Sequence, residues 1–162
     1  GIHQPEPNNL LSDQITKMKL RLRATQVEHT ADADPSVRWK GRWLEVFDPT
    51  KPTPSKLIER GEPRYRMMCQ AISGDIQTAK GSGACTLEWI RRVESGELDM
   101  ADVDGNAWVM FITRDKVWFE GLYDQGEGGA VTFAQFKLAV ETYVRFLADP
   151  EGKTIEVPFP AD

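Results

Sequence analysis

Apolar and polar side chains alternate most strictly from residue 18, where Met18, Leu20, Leu22 and Ala24 interleave with Lys19, Arg21, Arg23 and Thr25. A period of two is that of a strand with one buried face. Small, acidic, turn-like residues at 30–35 separate it from a second strand predicted over 37–47, which holds Trp39, Trp43, Leu44, Val46 and Phe47 and ends at Asp48-Pro49. Pro52, Pro54 and Pro63 restrict 50–63 to surface loop with at most one short helical turn. Tyr65, Met67, Cys69 and Ala71 alternate again and suggest a third strand over 64–72, a short helix being the other pattern that nine residues satisfy.

Residues 74–83 read as a flexible link. Thr86 then offers an N-cap for a short amphipathic helix whose apolar positions Leu87, Trp89, Ile90 and Val93 run to a stop at Gly96. Three strands at 98–103, 106–113 and 116–123, joined by Asp104-Gly105 and Arg114-Asp115, form an antiparallel meander. Its middle strand is apolar at every position from 107 to 112, which predicts burial on both faces and a place at the sheet centre. After a glycine-rich loop at 126–129, Thr132 and Gln135 make a capping-box pattern. Phe133, Phe136, Val140, Tyr143, Val144 and Leu147 then follow at helical spacing until Asp149-Pro150. The segment 153–159, with Ile155 and Val157 before its prolines, is either a short edge strand or a packed tail.

These elements predict an α+β fold, an antiparallel sheet of about five to six strands with two main amphipathic helices, because no βαβ rhythm is present. Residues 1–17 are polar and begin with Gly, and read as a leader that need not all be native, with Met18 as a candidate start. Residues 18–162 read as one α+β domain, since 162 residues suffice for one core without disulfides or metal.

Composition narrows the function classes. Twenty basic against twenty-five acidic residues give a net charge of −5, which disfavours nucleic acid and favours a basic partner surface. Only two cysteines, Cys69 and Cys85, point to a reducing cytoplasm. No apolar run is long enough for a membrane span and no signal-peptide layout is present, so no membrane partner is expected.

The search for chemistry assigns no catalytic residue, metal site or cofactor. His3 and His29 are the only imidazoles, too few for a His/Cys zinc site without chance proximity. Cys85, after Gly81-Ser82-Gly83 at a helix start, is the one nucleophile worth weighing, but no base accompanies it, and an inert thiol is the plainer reading. Asp102, Asp104 and Gly105 do not make a calcium loop, because that register puts Met100 and Phe111 at ligand positions. The glycine loops lack the phosphate-binding ending. Carboxylates at a hairpin tip, Glu97 with Asp99 or Asp102 with Asp104, are better read as solvated than as an acid/base pair. A basic stripe of Lys19, Arg21, Arg23, Arg38, Lys40 and Arg42 is read as a solvated sheet face. An acidic band of Glu94, Glu97, Asp99, Asp102 and Asp104, with Glu120, Asp124 and Glu127 near it, is either a solvated edge or a docking surface for a basic protein.

One resemblance joins these pieces. A helix with Trp89 and Glu94-Ser95-Gly96-Glu97, then Asp104-Gly105-Asn106-Ala107-Trp108, Val117-Trp118-Phe119-Glu120, and Thr132-Phe133 with Phe136 leading to Phe146-Leu147 resembles small bacterial immunity proteins of polymorphic and contact-dependent toxin systems. It covers roughly residues 86–148 and implies a cytoplasmic protein that binds and blocks a cognate toxin domain by occlusion. It carries over no catalytic or contact residue, so the eight carboxylates of the band are the expected toxin-binding surface. An adaptor or chaperone for a secreted effector is the alternative, favoured by exposure of Trp39, Trp43 or Trp118, and a small enzyme using Cys85 is the third reading.

Overall fold

The computed structural model describes residues 20–51, 62–123 and 128–162. The leader, the proline-rich segment 52–61, and Asp124 and Glu127 of the acidic band lie outside the described residues. The chain is α+β, and its strands fall into two antiparallel sheets instead of one. β1 (Leu20–Thr30), β2 (Arg38–Phe47) and β7 (Ile155–Phe159) form a three-stranded sheet ordered β2-β1-β7. β3 (Met100–Asp104), β4 (Trp108–Thr113), β5 (Val117–Gly121) and β6 (Ala130–Val131) form a four-stranded sheet in sequence order. Among the described residues three α-helices accompany them: α1 (Pro63–Asp75), α2 (Ala84–Glu94) and α3 (Phe133–Ala148).

The strand expected over 64–72 is α1. Pro63 sits in its first turn, where a missing N–H costs nothing. Tyr65, Met68, Cys69 and Ile72 are buried at helical spacing; Met67 and Ala71 are buried too, so an alternating set and a helical set coexist. The link at 74–83 is ordered: a π-helical turn, Ala79–Gly83, leads directly into α2. The Thr78 hydroxyl accepts from Gly81 N–H at 3.0 Å, and Ser82 Oγ accepts from Gln77 N–H at 2.8 Å. Thr86, expected as the cap, is buried inside the helix and donates to the Ser82 carbonyl at 2.8 Å. At α3 the capping box of Thr132 and Gln135 forms as expected, and the tail forms the edge strand β7, paired with β1 from Leu20↔Phe159 to Ala24↔Ile155.

The core draws on both sheets and all three helices. Leu22, Ala24, Leu44, Val46 and Phe159 enter it from the three-stranded sheet; Met110, Ile112, Val117 and Phe119 enter from the four-stranded one. Helix α1 packs against β2 on one side and β4, β5 and β6 on the other; α2 packs on β3 and β4, and α3 on β1 and β7. Phe119 meets Phe136 of α3 at 5.9 Å between ring centroids, and Tyr65 meets Phe159 edge-on at 5.2 Å. α1 and α3 therefore touch both sheets, and α2 packs on the four-stranded one.

Candidate interaction face on the four-stranded sheet

Strand register decides which side chains share the face turned away from the helices. β3 and β4 pair Asp102↔Phe111 and Asp104↔Val109, β4 and β5 pair Phe111↔Trp118 and Val109↔Glu120, and β5 pairs Trp118↔Ala130 of β6. Directly opposed residues of an antiparallel ladder point to one side. Two cross-strand rows result: Asp102, Phe111, Trp118, Ala130, and beside it Asp104, Val109, Glu120. The intervening positions Trp108, Met110, Ile112, Val117 and Phe119 are buried on the helix side. The expectation that β4 is buried on both faces is corrected here: Val109 and Phe111 are half-buried and stand outside the core cluster.

At the centre, the Phe111 and Trp118 rings lie parallel, 9° apart in plane with centroids 5.2 Å apart. Lys116 Nζ sits 5.2 Å from the Trp118 ring centroid, a cation-π contact. Met100, 49% exposed, follows Asp102 along the outer side of β3. Asp102, Asp104 and Glu120 are exposed and form no ion pair among the described residues.

The acidic band splits along this line. Asp102, Asp104 and Glu120 converge on the outer face, and Asp99 is exposed just before β3. Glu94 instead receives two hydrogen bonds from Lys137 Nζ of α3, at 2.7 and 2.9 Å. Glu97 lies 3.4 Å from Arg91 and 3.9 Å from Arg92, which also hold Glu88. Hydrogen bonds from Arg91 foremost pull the Glu88 carboxyl down to about 2. Glu94 and Glu97 thus each pair with cations of the same chain, in two separate sets of ion pairs.

The basic stripe does not assemble either. Register places Arg21 and Arg23 opposite Phe47 and Glu45, whereas Arg42 and Lys40 are opposite Gln26 and Glu28, on the other face. Arg21 pairs with Glu156, Arg23 with the buried Glu45, Arg38 with Glu28, and Arg42 donates to the Gln77 carbonyl. Cys85 is exposed on α2, while Cys69 is buried and its thiol is pushed up, mainly by desolvation. His29 stacks on Trp39, at 5.5 Å, in the β1–β2 hairpin. Among the described residues no three His, Cys, Asp or Glu side chains gather where they could hold a metal. No described helix is long and apolar enough to cross a membrane.

The residue that motif reading missed is Asp75, the last of α1. Its carboxylate accepts from the backbone N–H groups of Asn106 and Ala107 at 3.1 Å each and Trp108 at 3.2 Å, fixing the β3–β4 turn below the face. A Cβ on Gly105 would overlap that carboxylate, so the turn glycine is required by close approach. No sequence signal marks this contact. The Phe111–Trp118 row, in contrast, follows from counting back from the Arg114-Asp115 turn. No protein-family model, curated protein or solved structure matches the chain.

Proposed function

We propose that this chain is an immunity-type inhibitor that acts in the cytoplasm, binding a cognate bacterial toxin domain by occlusion through the outer face of the four-stranded sheet. The observation that carries the reading is the parallel Phe111–Trp118 pair, outside the core and flanked by the uncompensated carboxylates of Asp102, Asp104 and Glu120. Aromatic anchors ringed by charge are the composition of binding hot spots. The acidic rim and the net charge of −5 suit a basic partner, whose approach they accelerate.

The test is co-expression with the toxin encoded beside the gene, scoring survival and measuring affinity. Rescue with tight one-to-one binding is expected; the absence of both rescue and binding overturns the proposal. Trp118→Ala should weaken binding by about 2 kcal/mol or more, as truncated hot spots do. Glu94→Gln, whose carboxylate already serves Lys137, should leave affinity within about threefold.

The adaptor reading keeps one observation in its favour. Trp39 is 51% exposed and Val37 49%, both in the β1–β2 hairpin. Binding of a secreted effector without neutralising it, and its loss in Trp39→Ala, would favour that reading.

A further inference from the structure

We propose that copies of this chain associate head to tail, the β2 edge of one pairing antiparallel with the β3 edge of the next, with Lys40 opposite Asp102 and Arg38 opposite Asp104. The inference rests on strand edges and not on the toxin reading, with which it shares Asp102 and Asp104. Among the described residues, β2 and β3 are strands with one edge that no other strand covers. β6 has only two residues, and β7 carries Pro158. Ala31 N–H donates to the Val37 carbonyl, so the odd-numbered residues of β2 exchange bonds with β1 and the even-numbered residues of β1 face β7. Pro158, opposite the odd-numbered Arg21, therefore places its missing N–H on β7's outer edge and blunts it. The C-terminal half of β2 is shielded by α1, where Cys69 interacts with the Val46 backbone. The backbone groups of Arg38, Lys40 and Arg42 remain turned away from β1.

β3 alternates in the same way. Gly105 N–H donates to the Trp108 carbonyl, so Val103 and Ala101 exchange bonds with β4, and Met100, Asp102 and Asp104 turn their backbone groups outward. Among the described residues β3 has β4 as its one strand partner.

The two edges match in three respects. An antiparallel ladder through the outward residues sets Arg38, Lys40 and Arg42 against Asp104, Asp102 and Met100, with both opposite-charge pairs on one face. On the other face Trp39 falls beside Val103 and Gly41 beside Ala101. Trp39 is the exposed ring of the hairpin, and Lys40 forms no ion pair among the described residues. Like edges repel: β2 on β2 opposes Arg and Lys with each other, and β3 on β3 opposes aspartates. Each copy thus offers one basic edge and one acidic edge, a heterologous contact that propagates unless a ring closes.

Sedimentation velocity over a dilution series at low salt tests this. The parent should grow beyond monomer with concentration and fall back in high salt. Lys40→Glu and Asp102→Lys, both at exposed positions, should each raise the half-association concentration at least about tenfold. Their equimolar mixture should associate like the parent, because each variant's altered edge complements the other's. Lys40→Pro, which removes an outward N–H while sparing the ladder with β1, supplies an independent block if a charge variant melts early. A monomeric mass up to about 1 mM parent, charge variants that associate like the parent, or a mixture that stays monomeric overturns the proposal.

Discussion

Asp75 and Gly105 show how much can rest on one side chain. Three backbone N–H groups of the β3–β4 turn converge on one carboxylate, and removing it leaves donors that only partly find water. Asp75→Ala should therefore destabilise the fold by about 2 kcal/mol in urea titration. Gly105→Ala should also destabilise, by forcing the carboxylate aside. Because both changes break the same contact, the double variant should lose clearly less than the two losses added together. At this scale the sequence revealed chemistry unevenly. The Asp104-Gly105 signal announced a turn, but the chain reverses two residues later, at Asn106-Ala107, with Gly105 bonded to Trp108; the glycine is required instead by Asp75, 31 positions before Asn106, and nothing local ties Asp75 to it. Likewise the carboxylates were visible as a band, while the cations that silence Glu94 and Glu97 come from Lys137 on another helix and from Arg91 and Arg92 on α2.

Among the elements, α3 and the meander were readable because their signals are local: a capping box with helical periodicity, and two tight turns. Thr132→Ala should cost about 1 kcal/mol, read as a lower urea midpoint, by removing the acceptor for Gln135 N–H. α1 resisted reading because it is buried on most sides. Tyr65, Met67, Cys69 and Ala71 satisfy a period of two, while the fully buried Met68 and Ile72 complete the helical set. Its burial also separates the two thiols. An aromatic disulfide reagent should titrate one cysteine rapidly in the native protein, Cys85, and Cys69 only after denaturant is added. Fast reaction of both thiols without denaturant would contradict the packing of α1.

For the molecule as a whole, α+β character was readable but the division into two sheets was not, since it depends on β7 returning to β1 and no local pattern records that. The segment following β7 is held by a polar clamp. Asp162 accepts from Arg64, from the Tyr65 hydroxyl at 3.1 Å and from the fully buried Gln135 at 2.9 Å, tying the tail to α1 and α3. Chiefly through the Arg64 hydrogen bond, the Asp162 carboxyl is lowered below its ordinary 3.8. A depressed carboxyl stabilises the fold fully above its unfolded value and loses that contribution as pH falls through the folded one. Asp162→Asn should thus be less stable than the parent at neutral pH, with urea midpoints converging below about pH 3. The return of β7 also has a consequence in time. Thr25 and Thr154, 129 positions apart, meet at the seam between β1 and the segment entering β7, so β1 waits for a strand that is made long after it. While the chain is on the ribosome, the β1–β2 hairpin stands with its inner edge unclosed, and a stalled or truncated product keeps it so. Such a product presents to its neighbours the strand edge that the finished protein covers and Pro158 seals.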